Sequence, residues 1–599
     1  MPTNRLTAAQ ALTRYLAAQW TDTGERLFAG VWAIFGHGNV AALGEALHAV
    51  RDTLPTFRAH NEQAMGHAAI AFAKATNRRR MMACTSSIGP GASNMVTAAA
   101  VAHVNRLPVL FLPGDVFASR RPDPVLQQLE VWDDGTASVN DCFRPVSRYF
   151  DRITRPEQLL TALPRTLRVL TDPAACGPVT LSLCQDTQAE AFDWPESFFT
   201  PQTWRPRRPP PDAAELAEAI KALSNAQTPL IVAGGGVLYA EAAAALVVFA
   251  ETHGIPVVET QAGKGSLPDD HGQNLGAIGV TGTAAANQAA RKADVILAIG
   301  TRLQDFTTGS RTLFTGRLIG LNVQPFDAGK HDALPLVADA REGLAALTRA
   351  LAGFHAPSGW TNAIATWRAE WRAEAEKATT ATNAAMPSDA QVIGAVRRAV
   401  APGTVVVCAA GGLPGELHKL WGAEGPGTYH LEYGYSCMGY EIAGGLGVKL
   451  ADPSRQVVVM VGDGSYLMMN SEIATSVAMG LKLTVVLLDN GGFGCIDRLQ
   501  QATGGAPFNN LVPHGVDLCA HAASLGARAE RAASLAALED AVRRAQTADR
   551  TSVIVVETDP AIGTAAGGHW WDVAVPEVSP RPEVRAARAA YDAALTARS

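Results

Sequence analysis

The chain has 599 residues, too many for a single hydrophobic core, and typical domain sizes predict about three or four units. Hydrophobic residues make up 47% and charged residues 18%, which is typical of a large, well-buried globular protein. The formal net charge is −6 and no basic stripe follows any segment, so we expect no nucleic acid partner.

Apolar runs and cysteine spacing predict where the protein resides. The most apolar stretches, such as Val457–Val461 and Leu483–Leu488, are far shorter than the roughly 20 residues of a membrane-spanning helix. Met1–Gln19 lacks the apolar core and cleavage site of a signal peptide. The eight cysteines include no C-x-x-C pair, which is typical of a reducing compartment. We therefore expect a cytoplasmic protein that spans no membrane.

Short apolar runs alternate with alanine-rich helical patterns along the chain, which predicts parallel α/β sheets. Many of the runs are followed closely by Gly or Asp, and ligands of open α/β sheets bind at this carboxyl edge of the strands. The runs that we predict as buried strands are Val109–Leu112, Leu230–Val232, Val295–Ile299, Thr404–Val407, Val457–Val461, Leu483–Leu488 and Val553–Val556.

Two breaks divide the chain. Pro201–Asp212 is rich in Pro and Arg, which predicts an extended linker, and a charged helical pattern ends within Ala373–Pro387. The first and third blocks have similar strand-rich patterns, which indicates a duplication. The predicted parts are an N-terminal domain over residues 1–195, a central Rossmann-like domain over 212–355, a C-terminal domain over 385–575 and a helical tail over 576–599.

The sharpest motif is Gly462–Ser465 (GDGS), which directly follows the strand VVVMV. Glycine amides and a helix N-terminus at this place suit a diphosphate. Asp463 offers a carboxylate, Asn490 at the end of the next strand offers an amide oxygen, and we predict the Gly492 carbonyl as a third Mg2+ ligand. G-D-G alone is typical of an ordinary turn, but the strand, helix, strand and Asn at this spacing favour a cofactor site.

The G-D-G-x(25)-N motif resembles that of the thiamine-diphosphate (ThDP) enzymes related to acetolactate synthase, pyruvate decarboxylase and benzaldehyde lyase. Asp489 stands where the family usually has the first of two Asn residues, and Asn490 matches the metal-binding second one. The segment that starts at Thr85 (TSSIGPGASN) resembles the family's S-G-P-G-x-x-N. The resemblance covers about residues 5–575 and implies an α/β fold of three doubly wound parallel-sheet domains: a pyrimidine, a central and a diphosphate domain.

The resemblance also implies roles for single residues. Glu62, in a His-Asn-Glu element, would face the pyrimidine N1′ so that the 4′-nitrogen can take the C2 proton. The Ser436 carbonyl would accept from the 4′-amino group, and Met438 would bend ThDP into its V shape. A surface glutamate at a helix start and a methionine in a core are the alternatives. The cofactor-binding residues so implied are Glu62, Gly411, Gly412, Ser436, Met438, Gly462, Asp463, Gly464, Ser465 and Asn490.

In this family the glutamate and the G-D-G come from different subunits, so the resemblance implies a homodimer or homotetramer with active sites at subunit interfaces. The central segment Gly234–Gly236 is a weak dinucleotide signal. Some relatives bind FAD or a nucleotide here and many bind nothing, so structural use of these glycines is the favoured interpretation.

Several loops, including Phe35–Asn39 (FGHGN), differ from those of acetolactate synthase. They resemble the corresponding loops of the family's ring-opening hydrolases of myo-inositol catabolism. That resemblance implies a small polyol dione as substrate, cleaved at a C–C bond by hydrolysis. The alternative is a 2-keto acid carboligase of the acetolactate synthase or glyoxylate carboligase type. His37 is the first candidate for polarising the substrate or passing a proton, unless it is a capping or solvent histidine. Asn39 and Gln127 are candidates for hydrogen-bonding the substrate.

Overall fold

The structure is a computed structural model that describes residues 2–382 and 386–596. It contains three six-stranded sheets, each parallel throughout, and two small strand pairs. This confirms the predicted α/β class with three parallel-sheet domains. Contacts divide the chain into two compact units, one formed by Met1–Arg207, Ile442–Ser454 and Met469–Leu481, the other by Arg208–Glu441, Arg455–Met468 and Lys482–Ser599.

The N-terminal sheet has the strand order β4-β3-β5-β6-β8-β7, and β1 and β2 pair with β9 and β10 beside it. Its central strands β5 and β6 are buried along their whole length, as expected for parallel strands covered on both faces. The strands are β1 (Thr3–Thr7), β2 (Gln19–Thr21), β3 (Phe28–Ile34), β4 (Thr56–Phe57), β5 (Met81–Ser86), β6 (Val109–Asp115), β7 (Tyr149–Ile153), β8 (Val179–Cys184), β9 (Ala191–Pro195) and β10 (Gln202–Trp204). The helices are α1 (Ala8–Ala17), α2 (Glu45–Ala49), α3 (Glu62–Ala75), α4 (Pro90–Asn94), α5 (Val96–Asn105), α6 (Leu159–Thr171) and α7 (Gln185–Ala189).

The central sheet has the Rossmann order β13-β12-β11-β14-β15-β16. At its switch point, a Cβ on Gly236 would lie 2.5 Å from the Gly300 Cα, so the glycines after β11 allow close backbone packing. The strands are β11 (Pro229–Ala233), β12 (Val257–Glu259), β13 (Asn274–Ala277), β14 (Val295–Ile299), β15 (Arg317–Asn322) and β16 (Leu334–Val337). The helices are α8 (Ala213–Ser224), α9 (Gly235–Tyr239), α10 (Ala243–His253), α11 (Ala284–Lys292), α12 (Asp305–Thr308), α13 (Pro325–Ala328), α14 (Ala340–Ala350) and α15 (Ser358–Thr379).

The C-terminal sheet has the order β18-β17-β19-β20-β22-β21. Numbered within its own sheet, this is the order of the N-terminal sheet, which supports the duplication indicated by the sequence. The strands are β17 (Val405–Cys408), β18 (Tyr429–Leu431), β19 (Val457–Gly462), β20 (Thr484–Asp489), β21 (Arg528–Ala532) and β22 (Ser552–Glu557). The helices of this part of the chain are α16 (Asp389–Ala399), α17 (Leu413–Leu420), α18 (Tyr440–Ala451), α19 (Asp463–Met468), α20 (Glu472–Ala478), α21 (Gly494–Ala502), α22 (Leu518–Ser524), α23 (Leu535–Thr547) and α24 (Pro582–Thr596).

Each strand predicted from an apolar run coincides or overlaps with an observed strand. Within the predicted linker, β10 pairs with β2, and Asp212 caps α8 by accepting from the Ala214 amide at 2.8 Å. The charged helical pattern ends with α15 at Thr379, and residues 383–385 of the second break lie outside the described residues. Of the helices that the structure describes, none combines the length and apolar character needed to cross a membrane.

Candidate cofactor and metal site

The groups predicted to bind metal and diphosphate lie at the carboxyl edge of the C-terminal sheet. Asp463 directly follows β19 and Asn490 directly follows β20, and these two strands are neighbours. On the other side of β19 lies β17, which leads into Gly411 and Gly412. The connection that follows β17 leads to β18 on one side, and the connection that follows β19 leads to β20 on the opposite side. The gap between β17 and β19 is therefore the switch point, where sheets of this kind bind ligands.

Three oxygen-bearing groups converge beside the switch point. The terminal amide of Asn490 lies 3.1 Å from Asp463 Oδ1 and 2.9 Å from the Gly492 carbonyl oxygen. The Asn490 amide can face these two oxygens in either of two orientations. If its nitrogen faces them, it donates a hydrogen bond to both. If its oxygen faces them, the three oxygens together form a ligand set for a metal ion. Adjacent ligands of octahedral Mg2+ at 2.0–2.1 Å are about 3 Å apart. The donor set and its spacing therefore fit Mg2+.

Asp463 is fully buried, and its Oδ2 has no hydrogen-bond partner among the described residues. Burial is the largest influence on the pKa of this carboxyl and raises it, and the Asp489 carboxylate raises it further. The Gly464 backbone amide and the His514 imidazole act in the opposite direction. A divalent cation at the three oxygens would offset this cost of burying a negative charge.

Two glycines allow the Gly492 carbonyl to approach Asp463. Gly492 has a φ of +139°, and a Cβ there would lie 2.3 Å from the Asn510 carbonyl oxygen. A Cβ on Gly464 would lie 2.6 Å from the Phe493 ring and 3.3 Å from the Gly492 oxygen. Close packing around these oxygens therefore requires glycine at positions 464 and 492.

The loop before α18 carries the residues predicted to contact the ThDP pyrimidine. Glu432 is buried and accepts from the amides of Tyr435 at 2.8 Å and Cys437 at 2.7 Å, which fixes the loop. Ser436 is exposed and has a left-handed φ of +55°, and Met438 is half-buried. A non-glycine residue held in this conformation is typical of functional loops, where surrounding contacts overcome the strain.

Ser465 connects that loop to the GDGS turn. Its Oγ accepts from the Gly439 amide at 2.8 Å and donates to Glu441 Oε2 at 2.8 Å. Glu441 is 2% exposed, and burial raises its pKa to about 7. Sequence reasoning missed Glu441, because a glutamate in the first turn of a helix usually complements the helix dipole at the surface.

In the first unit, Glu62 occupies the first turn of α3. Asn61 caps this helix by accepting from the amides of Gln63 at 2.8 Å and Ala64 at 3.1 Å. The Asn94 amide donates to Glu62 Oε2 at 3.0 Å, and a Cβ on Gly91 would lie 3.1 Å from Glu62 Oε1. The structure therefore places the predicted SIGPGASN segment directly against the predicted glutamate.

The candidate substrate residues lie near the switch point of the N-terminal sheet: His37 and Asn39 follow β3, and Gln127, which follows β6, contacts Ser87 at the end of β5. His37 is exposed on the loop after β3, and the Ser87 hydroxyl donates to Gln127 Oε1 at 3.4 Å. Asn39 is 2% exposed, accepts from the Gly36 amide at 2.9 Å and donates to the Thr85 hydroxyl at 3.2 Å. Asn39 thus holds the His37 loop in place, while its predicted contact with substrate stays a prediction.

Comparisons with known proteins agree with this geometry. The chain matches the family models for the N-terminal TPP binding domain of thiamine pyrophosphate enzymes over residues 26–136, the central domain over 216–347 and the C-terminal TPP binding domain over 409–556. The chain therefore belongs to the thiamine pyrophosphate (ThDP) enzyme family, as its motifs predicted.

Among its relatives, it is 44% identical to the 3D-(3,5/4)-trihydroxycyclohexane-1,2-dione hydrolase of Geobacillus thermodenitrificans, over 98% of both chains. It is 43% identical to proteins of the same name from Bacillus cereus and Bacillus anthracis, again over 98% of both chains. The similarity thus extends over nearly the full length of these relatives and includes all three sheets.

Proposed function

We propose that this enzyme hydrolyses a ring C–C bond of 3D-(3,5/4)-trihydroxycyclohexane-1,2-dione to 5-deoxyglucuronate, as a step of myo-inositol catabolism. The observation that carries the proposal is the 44% identity over 98% of both chains to a relative of that name. The buried Asp463 and the convergent oxygens beside it support a working cofactor site rather than a fold that has lost its chemistry.

The proposed cofactors are ThDP and Mg2+. When bound, ThDP supplies a carbon nucleophile at C2 and accepts the electron pair of the C–C bond that breaks. Asp463, Asn490 and the Gly492 carbonyl would hold Mg2+, and Gly411 and Gly412 would hold the diphosphate. A Cβ on Gly411 would meet nothing within 4 Å, so the chain leaves open space beside this glycine, whereas a Cβ on Gly412 would lie 2.8 Å from Arg498 Nη2.

The remaining roles fall to side chains of the first unit. Glu62 would hold a proton at the pyrimidine ring, with Asn94 keeping its carboxylate in place through the 3.0 Å hydrogen bond. His37 would polarise a substrate carbonyl or pass a proton, because its exposed ring can reach a bound molecule. Gln127, beside Ser87, would bind a substrate hydroxyl, and Asn39 would position the His37 loop.

Product analysis tests the reaction. Supplied with ThDP, Mg2+ and the dione made in situ by dehydration of 2-keto-myo-inositol, the protein should form 5-deoxyglucuronate, observed by NMR. Asp463→Ala should abolish the product, whereas Asp540→Asn, which alters a carboxylate 63% exposed on the same domain, should leave it unchanged. Release of CO2 and a joined product from pyruvate or glyoxylate, with no reaction of the dione, would instead make the enzyme a carboligase.

The role of Glu62 has a separate test. Glu62→Gln should retain ThDP binding and slow the exchange of the cofactor's C2 proton by orders of magnitude, measured by quenched-flow NMR. Gln keeps a hydrogen bond from Asn94 within reach but cannot hold the proton, so the variant separates positioning from proton transfer. Unchanged exchange would remove Glu62 from the proposed chemistry.

We also propose a homodimer or homotetramer with active sites at subunit interfaces, supported by the family's use of Glu62 and Asp463 from different subunits. Mixing Glu62→Gln with Asp463→Ala protein under subunit exchange should restore activity, because one site of each mixed pair would be intact. Light scattering would give the size, and a monomer would contradict the proposal. A cytoplasmic location is proposed as well, supported by the eight free cysteines.

A further inference from the structure

The two oxygens of the Asp463 carboxylate face different partners. Oδ1 lies 3.1 Å from the Asn490 amide, on the side of the three oxygen ligands. Oδ2 lies 3.4 Å from His514 Nε2, and the same nitrogen lies 3.5 Å from Asp489 Oδ1. One imidazole therefore lies between the metal-binding carboxylate and the carboxylate that stands at the first Asn position of the family motif.

The protonation of this imidazole follows from its other nitrogen. The Val516 backbone amide donates to His514 Nδ1 at 3.1 Å, so Nδ1 is the acceptor and Nε2 carries the hydrogen. A protonated Nε2 faces the Asp463 and Asp489 carboxylates at 3.4 and 3.5 Å, an electrostatic contact longer than a good hydrogen bond, and it has no lone pair for a metal. His514 is therefore a partner of the ligand Asp463 and not a ligand itself.

His514 belongs to the segment of residues 503–517, which also contacts the other end of the ligand set. The Phe493 amide donates to the Asn510 carbonyl at 2.9 Å, and the Val512 amide donates to the Gly491 carbonyl at 3.0 Å. These bonds lie on either side of the Gly492 ligand carbonyl. The segment is otherwise poorly covered, since Phe508 is 74% exposed.

We propose that His514 is a positioning residue for the divalent cation, and that Asp489 holds it in place. The Nε2 hydrogen would orient Asp463 through Oδ2, so that Oδ1 faces the cation, and the same contact would fasten the 503–517 segment beside Gly492. Asp489 in turn lies 3.5 Å from Arg531 Nη1, which balances its charge. Partners of metal ligands typically change metal affinity 10- to 100-fold when removed. The inference rests on the proposed Mg2+ ligands and not on the identity of the substrate.

Two substitutions at His514 distinguish the contact of its Nε2 hydrogen with the carboxylates from the contact of its Nδ1 with the Val516 amide. His514→Asn keeps an oxygen near the Nδ1 position for the Val516 amide but loses the donor to the carboxylates, whereas His514→Gln places an amide nitrogen near the Nε2 position. With ThDP in excess, the dissociation constant of Mn2+, measured from the EPR signal of the free ion, should rise about tenfold or more in His514→Asn. His514→Gln should recover most of the affinity. His271→Asn, at a surface pair with Glu251, is the control and should bind Mn2+ like the unaltered protein.

Hydrogen exchange supplies a second readout. Adding Mn2+ and ThDP should protect the Phe493 and Val512 amides in the unaltered protein and in His514→Gln, and protect them less in His514→Asn. If His514→Asn does not fold, Asp489→Leu removes the other end of the contact and should weaken Mn2+ binding in the same direction. Unchanged Mn2+ affinity in His514→Asn, or equal losses in the Asn and Gln variants, would overturn the role of His514 alone. No Mn2+ binding by the unaltered protein would overturn the proposed ligand set as well.

Discussion

Compared with the unaltered protein, Glu441→Gln should have a higher free energy of unfolding at neutral and alkaline pH. At acid pH the free energies of unfolding of the two proteins should differ little. Glu441 is 2% exposed, and burial raises its pKa from 4.5 to about 7, against hydrogen bonds from backbone amides and Ser465 that lower it. Gln has nearly the same size and carries no charge at any pH. The substitution therefore isolates the cost of burying the carboxylate.

The sign and magnitude follow from proton linkage. Below pH 4.5 the carboxyl is protonated in both the folded and unfolded chains. Between pH 4.5 and about 7 the folded chain retains a proton that the unfolded chain has released, so the free energy of unfolding falls as pH rises. Above about pH 7 the loss is complete and amounts to about 3 kcal/mol, since each pKa unit corresponds to about 1.4 kcal/mol.

Thermal unfolding of the cofactor-free protein over this pH range is the assay. A cooperative unit of 150–250 residues changes its Tm by about 2–4 °C per kcal/mol, so the difference in Tm between variant and unaltered protein should grow by roughly 6–12 °C from pH 4.5 to 8. Ser465→Ala removes the 2.8 Å hydrogen bond to the carboxylate, a bond that lowers the pKa of Glu441 in the folded protein. In that variant the free energy of unfolding should therefore continue to fall up to a higher pH than in the unaltered protein. A Tm difference that stays constant with pH would refute the reasoning.

Three substitutions in the first unit test its packing and hydrogen bonds. Gly447→Ala should cost about 1–3 kcal/mol and lower the Tm, because its Cβ would lie 2.1 Å from the Ala68 carbonyl; an unchanged Tm would mean that α18 moves freely away from α3. Asn61→Ala should cost about 1 kcal/mol by urea unfolding, because α3 loses its cap, and Asn61→Ser should restore most of it. Asp115→Asn weakens the 2.7 Å ion pair between this fully buried carboxylate and Arg152, and should lower the free energy of unfolding by about 2 kcal/mol. An unchanged free energy of unfolding would mean that Arg152 is held mainly by Asp141 and the Thr136 carbonyl.

The strands, and the proximity of Asp463 to Asn490, could be predicted from short segments of sequence. A buried parallel strand is a continuous apolar run, so Val457–Val461 and Val295–Ile299 were evident without knowledge of their neighbours. Asp463 and Asn490 each follow such a run, and strands of a parallel sheet end at the same edge. Local pattern therefore sufficed to predict that these two side chains meet.

The partners of these residues depend on the tertiary structure. Asn94 reaches Glu62, and His514 reaches Asp463, across long stretches of chain whose meeting depends on strand order and loop path. Glu441 begins a helix like many surface glutamates, and only the packing of the loops around it makes it buried.

By itself, then, the sequence determined the fold class and the ThDP family and predicted that Asp463 and Asn490 meet, because each depends on residues within one strand–turn–helix unit or on neighbouring parallel strands. Only the tertiary structure decided that Asn94 contacts Glu62 and that His514 lies beside Asp463, that Asn39 supports the His37 loop, and that the Glu441 carboxyl is deprived of water. The physical reason is that burial and hydrogen-bond geometry depend on segments distant in sequence, whereas strand and helix periodicity is a local property of the chain.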